Sequence, residues 1–400
     1  PCAAVGSPAA GMTLPLVAHN RLQLLENGGR YFPALIAAID GAQDEVHLET
    51  YIFADDVTGR QVADALARAA RRGVAVRILV DGFGAPGFAG GLGKALQDAG
   101  AEVLIYRPEL SRWTLRRHRL RRMHRKLAVI DAGIAFVGGI NVIDDMDTPE
   151  QIPPRFDYAV SVVGPLVGTM REAARSLWNL VRWARLGRRP PAPHALPASP
   201  APAGTAAAAF LTRDNLRHRR DIETAYLAAI DSARQEILIA NAYFLPGRRF
   251  RQALIGAARR GVRVRILLQG RSEYLIQHLA TRSLYGRLLE AGIEVWEYRR
   301  SFLHAKVAVI DGHWSTVGSS NIDPFSLLLA REANLVVEDP SFAAELHASL
   351  TAAMATGAVE ALAEDQRRVS WWDTAVGRMA YFLVRLAVGV TRYGGDDYAE

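Results

Sequence analysis

The sequence feature that most constrains the fold is an internal duplication. The matched segments, in the same order in both halves, are 35–53 with 226–244, 69–82 with 257–270, 96–106 with 288–298, and 124–141 with 304–321. Within each copy, helix-like periodicity alternates with apolar runs that follow a glycine. Four matches in one order indicate gene duplication. The alternation of helix and strand predicts an α/β fold made of two homologous repeats with pseudo-twofold symmetry.

A segment rich in proline and alanine, residues 186–204, separates the two copies and is typical of an extended linker. The chain has 400 residues, half of them hydrophobic, which is enough for each repeat to have its own core. The predicted organisation is an N-terminal repeat, a linker, a C-terminal repeat and a C-terminal segment. Their predicted ranges are 1–187, 188–204, 205–355 and 356–400.

The pattern His-x-Lys-x4-Asp occurs once in each copy. Its members are His124, Lys126 and Asp131 in the first copy and His304, Lys306 and Asp311 in the second. On a strand, side chains two residues apart face the same side, so the histidine and the lysine point together. One such motif is usually a surface or a satisfied core feature. Two copies on otherwise apolar strands indicate a functional site, because burying these groups unpaired would be costly.

A second polar pattern follows each motif. It consists of Gly139 and Asn141 in the first copy and of Ser319 and Asn321 in the second. Glycine lets the backbone approach a ligand, and serine or asparagine can donate hydrogen bonds to an oxyanion. These four residues are therefore predicted to bind a phosphate group.

The doubled motif, followed by Gly-(Gly/Ser)-x-Asn, resembles the phospholipase D superfamily over residues 22–339. Within that superfamily, segments 24–40 and 124–141 are similar to the bacterial cardiolipin synthases, in the form without N-terminal transmembrane helices. The resemblance implies one active site at the interface of the repeats, without a metal or another cofactor. It also implies that this chain transfers a phosphatidyl group.

The resemblance assigns a role to each motif residue. His124 is the expected nucleophile and forms a covalent phosphatidyl-histidine, while His304 is the expected acid and base. The pseudosymmetry keeps the reverse assignment open. Lys126 and Lys306, together with Asn141 and Asn321, would hold the phosphate oxygens.

Each histidine needs a partner for its second ring nitrogen, and the superfamily uses a downstream carboxylate. Asp157 fits this role in the first copy and Glu332 in the second. A surface ion pair between Arg155 and Asp157 is the alternative. Asp131 and Asp311 are counted with the catalytic residues of the two motifs, although they are expected to brace loops rather than touch substrate. Glu49 has Ala240 as its counterpart, so any role of Glu49 is confined to one half.

Two segments suggest an anionic lipid partner. Residues 107–126 contain eight arginines and one lysine, in a chain of net charge +7, and suit lipid headgroups or DNA phosphates equally. Residues 371–393 are strongly apolar with three arginines, which favours a helix lying in the membrane interface. The alternative is a helix packed on the protein itself or on a dimer partner.

The leading hypothesis is a cardiolipin synthase that acts on phosphatidylglycerol and binds anionic phospholipids, cardiolipin included, with no nucleic acid partner. A phospholipase D hydrolase, a nuclease of the same superfamily and a membrane-binding scaffold are the alternatives. The resemblance places such an enzyme at the cytoplasmic face of the bacterial inner membrane, peripherally or monotopically attached.

Overall fold

The computed structural model describes residues 14–108, 121–148, 152–187, 201–271, 275–362 and 379. The first repeat contains, in order, β1 (Val17–Glu26), α1 (Asn27–Gly41), β2 (Glu45–Thr50), α2 (Val57–Arg71), β3 (Ala75–Asp81), α3 (Leu92–Asp98), β4 (Glu102–Tyr106), β5 (Leu127–Ile130), β6 (Ile134–Gly138), β7 (Tyr158–Val163) and α4 (Leu166–Leu186).

The second repeat contains β8 (Ala206–Arg213), α5 (Asp221–Ser232), β9 (Glu236–Asn241), α6 (Arg248–Arg259), β10 (Arg263–Gln269), α7 (Leu275–Arg282), α8 (Tyr285–Glu290), β11 (Glu294–Tyr298), β12 (Lys306–Ile310), β13 (Trp314–Gly318), α9 (Pro324–Leu328), β14 (Glu332–Glu338), α10 (Pro340–Gly357) and β15 (Ala358–Glu360). The duplicated sequence gives the same local structure twice. Gly73 and Gly261, for example, lie just after α2 and α6 with φ of 92° and 89°, which glycine adopts without strain.

The strands form one continuous sheet in the order β15-β11-β10-β9-β12-β13-β14-β8-β1-β7-β6-β5-β2-β3-β4. Its centre is the antiparallel pair β1 and β8, joined at Val17 and Ala208. Outward from this pair, β7, β6, β5, β2, β3 and β4 have the counterparts β14, β13, β12, β9, β10 and β11. The predicted pair of α/β repeats with pseudo-twofold symmetry is confirmed.

Alternating side chains divide the core into layers. In β5, Val129 belongs to the central apolar cluster, whereas its neighbours Ala128 and Ile130 belong to the outer cluster beneath α1 and α2. Strands β6 and β7 face β13 and β14 across the central layer, which also receives α4 and α10. The repeats are therefore joined by a shared apolar interface as well as by β1 and β8.

The observed elements test the predicted boundary between the second repeat and the C-terminal segment. The boundary at 355 is wrong, because α10 continues to Gly357 and β15 (Ala358–Glu360) pairs with β11. These residues therefore belong to the second repeat. Parts of three predicted segments lie outside the described residues. These parts are residues 188–200 of the linker, 109–120 of the basic segment, and 371–393 apart from Met379. Within the described ranges, no helix combines the length and the apolar character needed to cross a membrane.

Candidate active site

Each catalytic strand is preceded by a backbone crossing between the repeats. Met123 forms a β-bridge with Arg331, and the His124 N–H donates to the Arg331 carbonyl at 2.8 Å. In the second crossing, Leu303 pairs with Phe156, and the His304 N–H donates to the Phe156 carbonyl, also at 2.8 Å. Each histidine is thus held against the segment that leads into a strand of the other repeat, β14 for His124 and β7 for His304.

His124 faces a carboxylate of the second repeat. Its Nδ1 lies 3.1 Å from both carboxylate oxygens of Glu332, which is fully buried, and 3.2 Å from the Ser319 carbonyl. An ionised carboxylate only accepts hydrogen bonds, so this contact puts the proton on Nδ1 and leaves the Nε2 lone pair available. Burial lowers the pKa of His124. Burial alone would raise the pKa of Glu332, but His124 and Lys126 bring it below its usual value.

His304 faces Asp157 of the first repeat, with 2.6 Å between Nδ1 and Oδ2. Burial raises the pKa of Asp157 to about 6, although Lys306 at 4.0 Å counteracts this. Burial and the charge of Lys306 lower the pKa of His304 well below its usual value. The expectation that each carboxylate serves the histidine of its own copy is wrong, because the pairs are exchanged between repeats. The alternative of a surface ion pair is also wrong, since Asp157 is buried.

The two motif lysines are buried beside the histidines. Lys126 Nζ donates to the His124 carbonyl at 2.8 Å, and Lys306 Nζ donates to the His304 carbonyl. Burial lowers the pKa of Lys126 to about 7, and the charge of Lys306 acts in the same direction. Tyr51 packs edge-on against the His124 ring, with 4.9 Å between centroids. Two cations held this close together in a buried site favour an anion between them.

The two predicted phosphate-binding asparagines are buried and held in matching ways. The side-chain oxygen of Asn141 accepts from the Ile52 N–H at 3.2 Å, and that of Asn321 accepts from the Tyr243 N–H at 3.4 Å. With the amide oxygen engaged, the NH2 group is the end that can donate to a ligand. Asn141 also lines a small cavity together with His304 and Asp157.

Ser319 and Gly139 do not have the arrangement predicted for phosphate ligands. The Ser319 hydroxyl is buried and donates to Glu332 at 2.6 Å, so it supports the carboxylate. The Gly139 N–H donates to the Tyr158 carbonyl at 2.9 Å. A Cβ at position 139 would lie 2.3 Å from Oδ1 of Asp157. Glycine is needed at position 139 because the Asp157 carboxylate occupies the space that a side chain there would fill.

The two motif aspartates lie at the opposite ends of the catalytic strands and are not part of the site. Asp131 accepts from the backbone N–H groups of Gln43, Asp44 and Glu45 at 2.7–2.8 Å. Asp311 does the same with residues 234–236, at 2.8–2.9 Å. Their place in the catalytic motif is therefore structural, in agreement with the expectation that they brace loops.

Arg125 distinguishes the first half from the second. It lies between His124 and Lys126 but points away from them, and its guanidinium binds both carboxylate oxygens of Glu49 at 2.6 Å. Both side chains are buried, and burial raises the pKa of Glu49. The second half has Ala305 and Ala240 at these positions. Glu49 thus has a role in the first half only, as the sequence comparison allowed. It is the partner of the buried Arg125.

Two positioning residues were missed in the sequence. The Asp81 carboxylate accepts from the Met123 N–H at 2.8 Å, and the Gln269 side-chain oxygen accepts from the Leu303 N–H at 3.2 Å. Each therefore holds the segment directly before a catalytic histidine. A signal was present in the sequence, because both occupy the same polar position at the end of an apolar strand in matched blocks.

The two crossings differ in residue type. Arg331 donates its backbone N–H to the Arg122 carbonyl at 2.7 Å, and its counterpart Phe156 donates to Phe302 at 2.9 Å. The paired residues are therefore arginines at the His124 crossing and phenylalanines at the His304 crossing, where the Arg155 guanidinium lies 4.6 Å from the ring centre of Phe302. The Arg122 guanidinium also lies 4.5 Å from the ring centre of Phe83, which is half exposed.

Two histidines on pseudosymmetric strands, each paired with a carboxylate of the opposite repeat and with a buried lysine, define a two-repeat protein of the phospholipase D type. The family described as "Cardiolipin synthase, PLD-like domain" matches residues 35–145 and 226–354, and the chain belongs to this family.

Curated relatives and solved structures agree with this assignment. Cardiolipin synthase B of Escherichia coli (strain K12) is 39% identical over 376 residues, covering 92% of this chain and 88% of the relative. Cardiolipin synthase A of Pseudomonas putida (strain GB-1) is 32% identical, covering 82% and 67%. The crystal structure of phosphatidylserine synthase from Haemophilus influenzae Rd KW20 has a TM-score of 0.70 at 13% identity, covering 95% and 97%, and shows the same fold.

Proposed function

We propose that this chain is a cardiolipin synthase, which transfers the phosphatidyl group of one phosphatidylglycerol to a hydroxyl of another and releases glycerol. The single observation that carries the proposal is the pair of histidines held by exchanged carboxylates. Family membership and the relatives named cardiolipin synthase support the lipid substrate.

The first chemical step is assigned to His124. Because its Nδ1 proton faces Glu332, Nε2 can attack phosphorus. A P–N bond forms as the bond to the glycerol oxygen breaks, and His304 gives that oxygen a proton. The anionic substrate would raise the pKa of His304 and so allow it to carry this proton. Lys126, Lys306, Asn141 and Asn321 would hold the phosphate oxygens.

The second step reverses the roles. His304 accepts the proton of the acceptor hydroxyl, whose oxygen attacks phosphorus while the P–N bond to His124 breaks. The order of the two histidines is supported by the residues paired at the two crossings. The two arginines of the His124 crossing suit an anionic donor lipid, and the two phenylalanines of the His304 crossing, with Arg155 against Phe302, suit the alcohol.

Peripheral association with an anionic membrane is part of the proposal, at the cytoplasmic face of the inner membrane and without a nucleic acid partner. The basic segment 107–126 and the helix predicted at 371–393 would provide most of it. Described residues add support, because Phe83 is 50% and Leu216 79% exposed. Each lies on a loop that leaves the site end of its repeat, and Arg217 follows Leu216. Apolar and basic side chains together suit an anionic membrane interface.

The decisive experiment is turnover of labelled phosphatidylglycerol in mixed micelles, with separation of the products. Cardiolipin together with glycerol is the expected result. Phosphatidic acid as the only product would identify a hydrolase instead. Cleavage of single-stranded DNA without lipid turnover would reject both lipid functions.

A further inference from the structure

A cleft of about 270 Å³ lies next to the His304 crossing. It is bounded by the end of β1, by the loop before β7, by the segment after β11 and by α10. Its lining includes Glu26, Asn27, Phe156, Tyr298, Ser301 and Ala353. The cleft is separate from the small cavity that contains His304, but Asn27 lines both.

The cleft is open because α10 carries a small residue where α4 carries a large one. The helices can be aligned through matching ion pairs, since Arg171 binds Glu45 and His347 binds Glu236, each at the first residue of a matched strand. This alignment places Ala353 of α10 at the position of Leu177 of α4.

The equivalent space in the other half is filled. Leu177 packs there with Tyr106, the counterpart of Tyr298, and with Trp178 and Met123, in a buried apolar cluster. An open cleft in one half and a packed cluster in the other indicate a feature specific to the His304 side.

The lining of the cleft, which contains both Glu26 and Arg300 beside an apolar wall, suits a polyol without net charge. The rings of Phe156 and Tyr298 stack at 5.4 Å and present an apolar wall to C–H groups. The Glu26 carboxylate accepts from the Ser349 hydroxyl at 2.6 Å and can accept from a ligand hydroxyl as well. The Ser301 hydroxyl is buried and makes no hydrogen bond within the described part of the chain. A rotation of the Ser301 side chain would turn this hydroxyl toward the cleft, where a ligand hydroxyl could satisfy it.

The cleft is coupled to the catalytic pair through short contacts. The Asn27 side-chain oxygen accepts from the Asp157 N–H at 3.1 Å, and Asp157 in turn binds His304. Phe156, in the wall of the cleft, accepts from the His304 N–H. The cleft therefore lies beside the histidine that is assigned to the alcohol in both chemical steps.

We propose that this cleft binds the glycerol moiety, either as the free alcohol that is released or as the headgroup of the acceptor lipid. The assignment rests on the proposed function for its role in turnover, but not for the binding itself. Glycerol bound there would contact Phe156 and Asn27, which accept hydrogen bonds from the backbone N–H groups of His304 and Asp157.

The matched test is Ala353→Leu, which places in α10 the residue that fills the equivalent space beside α4. The control is Ala348→Leu, the same substitution on the exposed side of the same helix. Saturation-transfer NMR with free glycerol, and separately with water-soluble dihexanoyl phosphatidylglycerol, measures binding without turnover. We expect signals from glycerol protons in the wild type and in Ala348→Leu, and at least a fivefold weaker signal in Ala353→Leu.

The two probes distinguish the two sources of the glycerol moiety. Loss of the free glycerol signal alone identifies a site for the released product. Loss of the headgroup signal as well identifies an acceptor site. Equal signals in the wild type and in Ala353→Leu would overturn the proposal. If Ala353→Leu does not fold, Ser301→Ala is measured instead and should weaken binding, and a signal equal to that of the wild type in Ser301→Ala would overturn the proposal.

Turnover provides an independent readout. In Ala353→Leu we expect more phosphatidic acid relative to cardiolipin and at least fivefold weaker inhibition by glycerol, with unchanged formation of the phosphohistidine. If wild-type protein makes no cardiolipin yet binds glycerol in a manner that depends on residue 353, then the proposed function fails and the cleft assignment stands.

Discussion

The two half-sites use the same plan with different residues. At the first, His124 meets the longer Glu332, which is held by the Ser319 hydroxyl. At the second, His304 meets the shorter Asp157, which lies against Gly139. The exchange keeps each carboxylate within reach of its histidine. The first half-site thus uses a longer acid supported by a hydroxyl. The second uses a shorter acid, which occupies the space that a side chain at position 139 would fill.

The surroundings of the two histidines differ more than the pairs themselves. Arg122, Arg331 and the buried Arg125–Glu49 pair surround the His124 side, whereas Phe302, Phe156 and an open cleft mark the His304 side. Duplication has thus given two similar histidine–carboxylate pairs in unlike environments. Under the proposed function, the first environment would receive the phosphate of the donor lipid and the second the alcohol.

The largest expected effect is loss of either histidine. Both His124→Ala and His304→Ala should lower kcat by about 10⁴-fold or more, because each removes a group that acts on the reacting atoms. The comparison of the half-sites predicts a difference in intermediates. His304→Ala should accumulate a phosphohistidine at His124 from labelled lipid, detected after rapid acid-free quenching.

The control is His347→Ala, a partly buried histidine on α10 outside the site, which should retain activity. An adduct that accumulates in His124→Ala, on His304, would reverse the assignment of the two roles. Adducts in neither variant would contradict covalent catalysis by this pair.

Loss of a carboxylate is expected to cost less than loss of a histidine. Glu332→Gln and Asp157→Asn should each lower kcat by about 10²- to 10³-fold, because the histidine loses the acceptor that fixes its tautomer. The crossed pairing predicts which step slows. Asp157→Asn should accumulate phosphohistidine as His304→Ala does, and Glu332→Gln should not. The opposite pattern would mean that each carboxylate serves its own repeat.

The sequence predicted the repeats, the motif positions and the presence of both orienting carboxylates, but not their pairing. Matched blocks reveal which residues are equivalent, and Asp157 and Glu332 follow the motifs at comparable places. Pairing across the repeats depends on the backbone bridges Met123–Arg331 and Leu303–Phe156, which join residues distant in sequence. Such long-range contacts leave no periodic signal.

The roles of Ser319 and Gly139 were mispredicted for a related reason. Residue type showed that Ser319 could donate a hydrogen bond, but the choice between a phosphate and Glu332 depends on side-chain direction and burial. Asp131 and Asp311 were grouped with the catalytic motif, but they accept hydrogen bonds from loop N–H groups at the far ends of the strands, which is a structural role. The spacing that carries them beyond the strand already favoured this role over contact with substrate.

The two supporting positions should respond unequally to alanine. Gly139→Ala places a Cβ about where an oxygen of Asp157 lies, so the carboxylate must move, and kcat should fall by about 10²-fold. Ser319→Ala removes one hydrogen bond to Glu332 and should lower kcat by about fivefold. Gly29→Ala, where a Cβ would meet nothing within 4 Å, is the control. Equal effects at 139 and 319 would show that the half-sites tolerate the same change.

The smallest expected effect is a shift in pH dependence. Asp157, with a pKa of about 6, becomes protonated as the pH falls, so kcat/KM should decline below that value. Lys126, with a pKa of about 7, loses its charge as the pH rises, so kcat/KM should also decline above 7. In Lys126→Arg the guanidinium stays charged, and the decline between pH 7 and 8, about fivefold in the wild type, should disappear. Profiles of kcat/KM from pH 5 to 9, with thermal unfolding at each pH to verify the fold, measure both limbs. If the decline of kcat/KM above pH 7 is unchanged in Lys126→Arg, another group causes that decline. The pKa of Lys126 would then not distinguish the first half-site from the second.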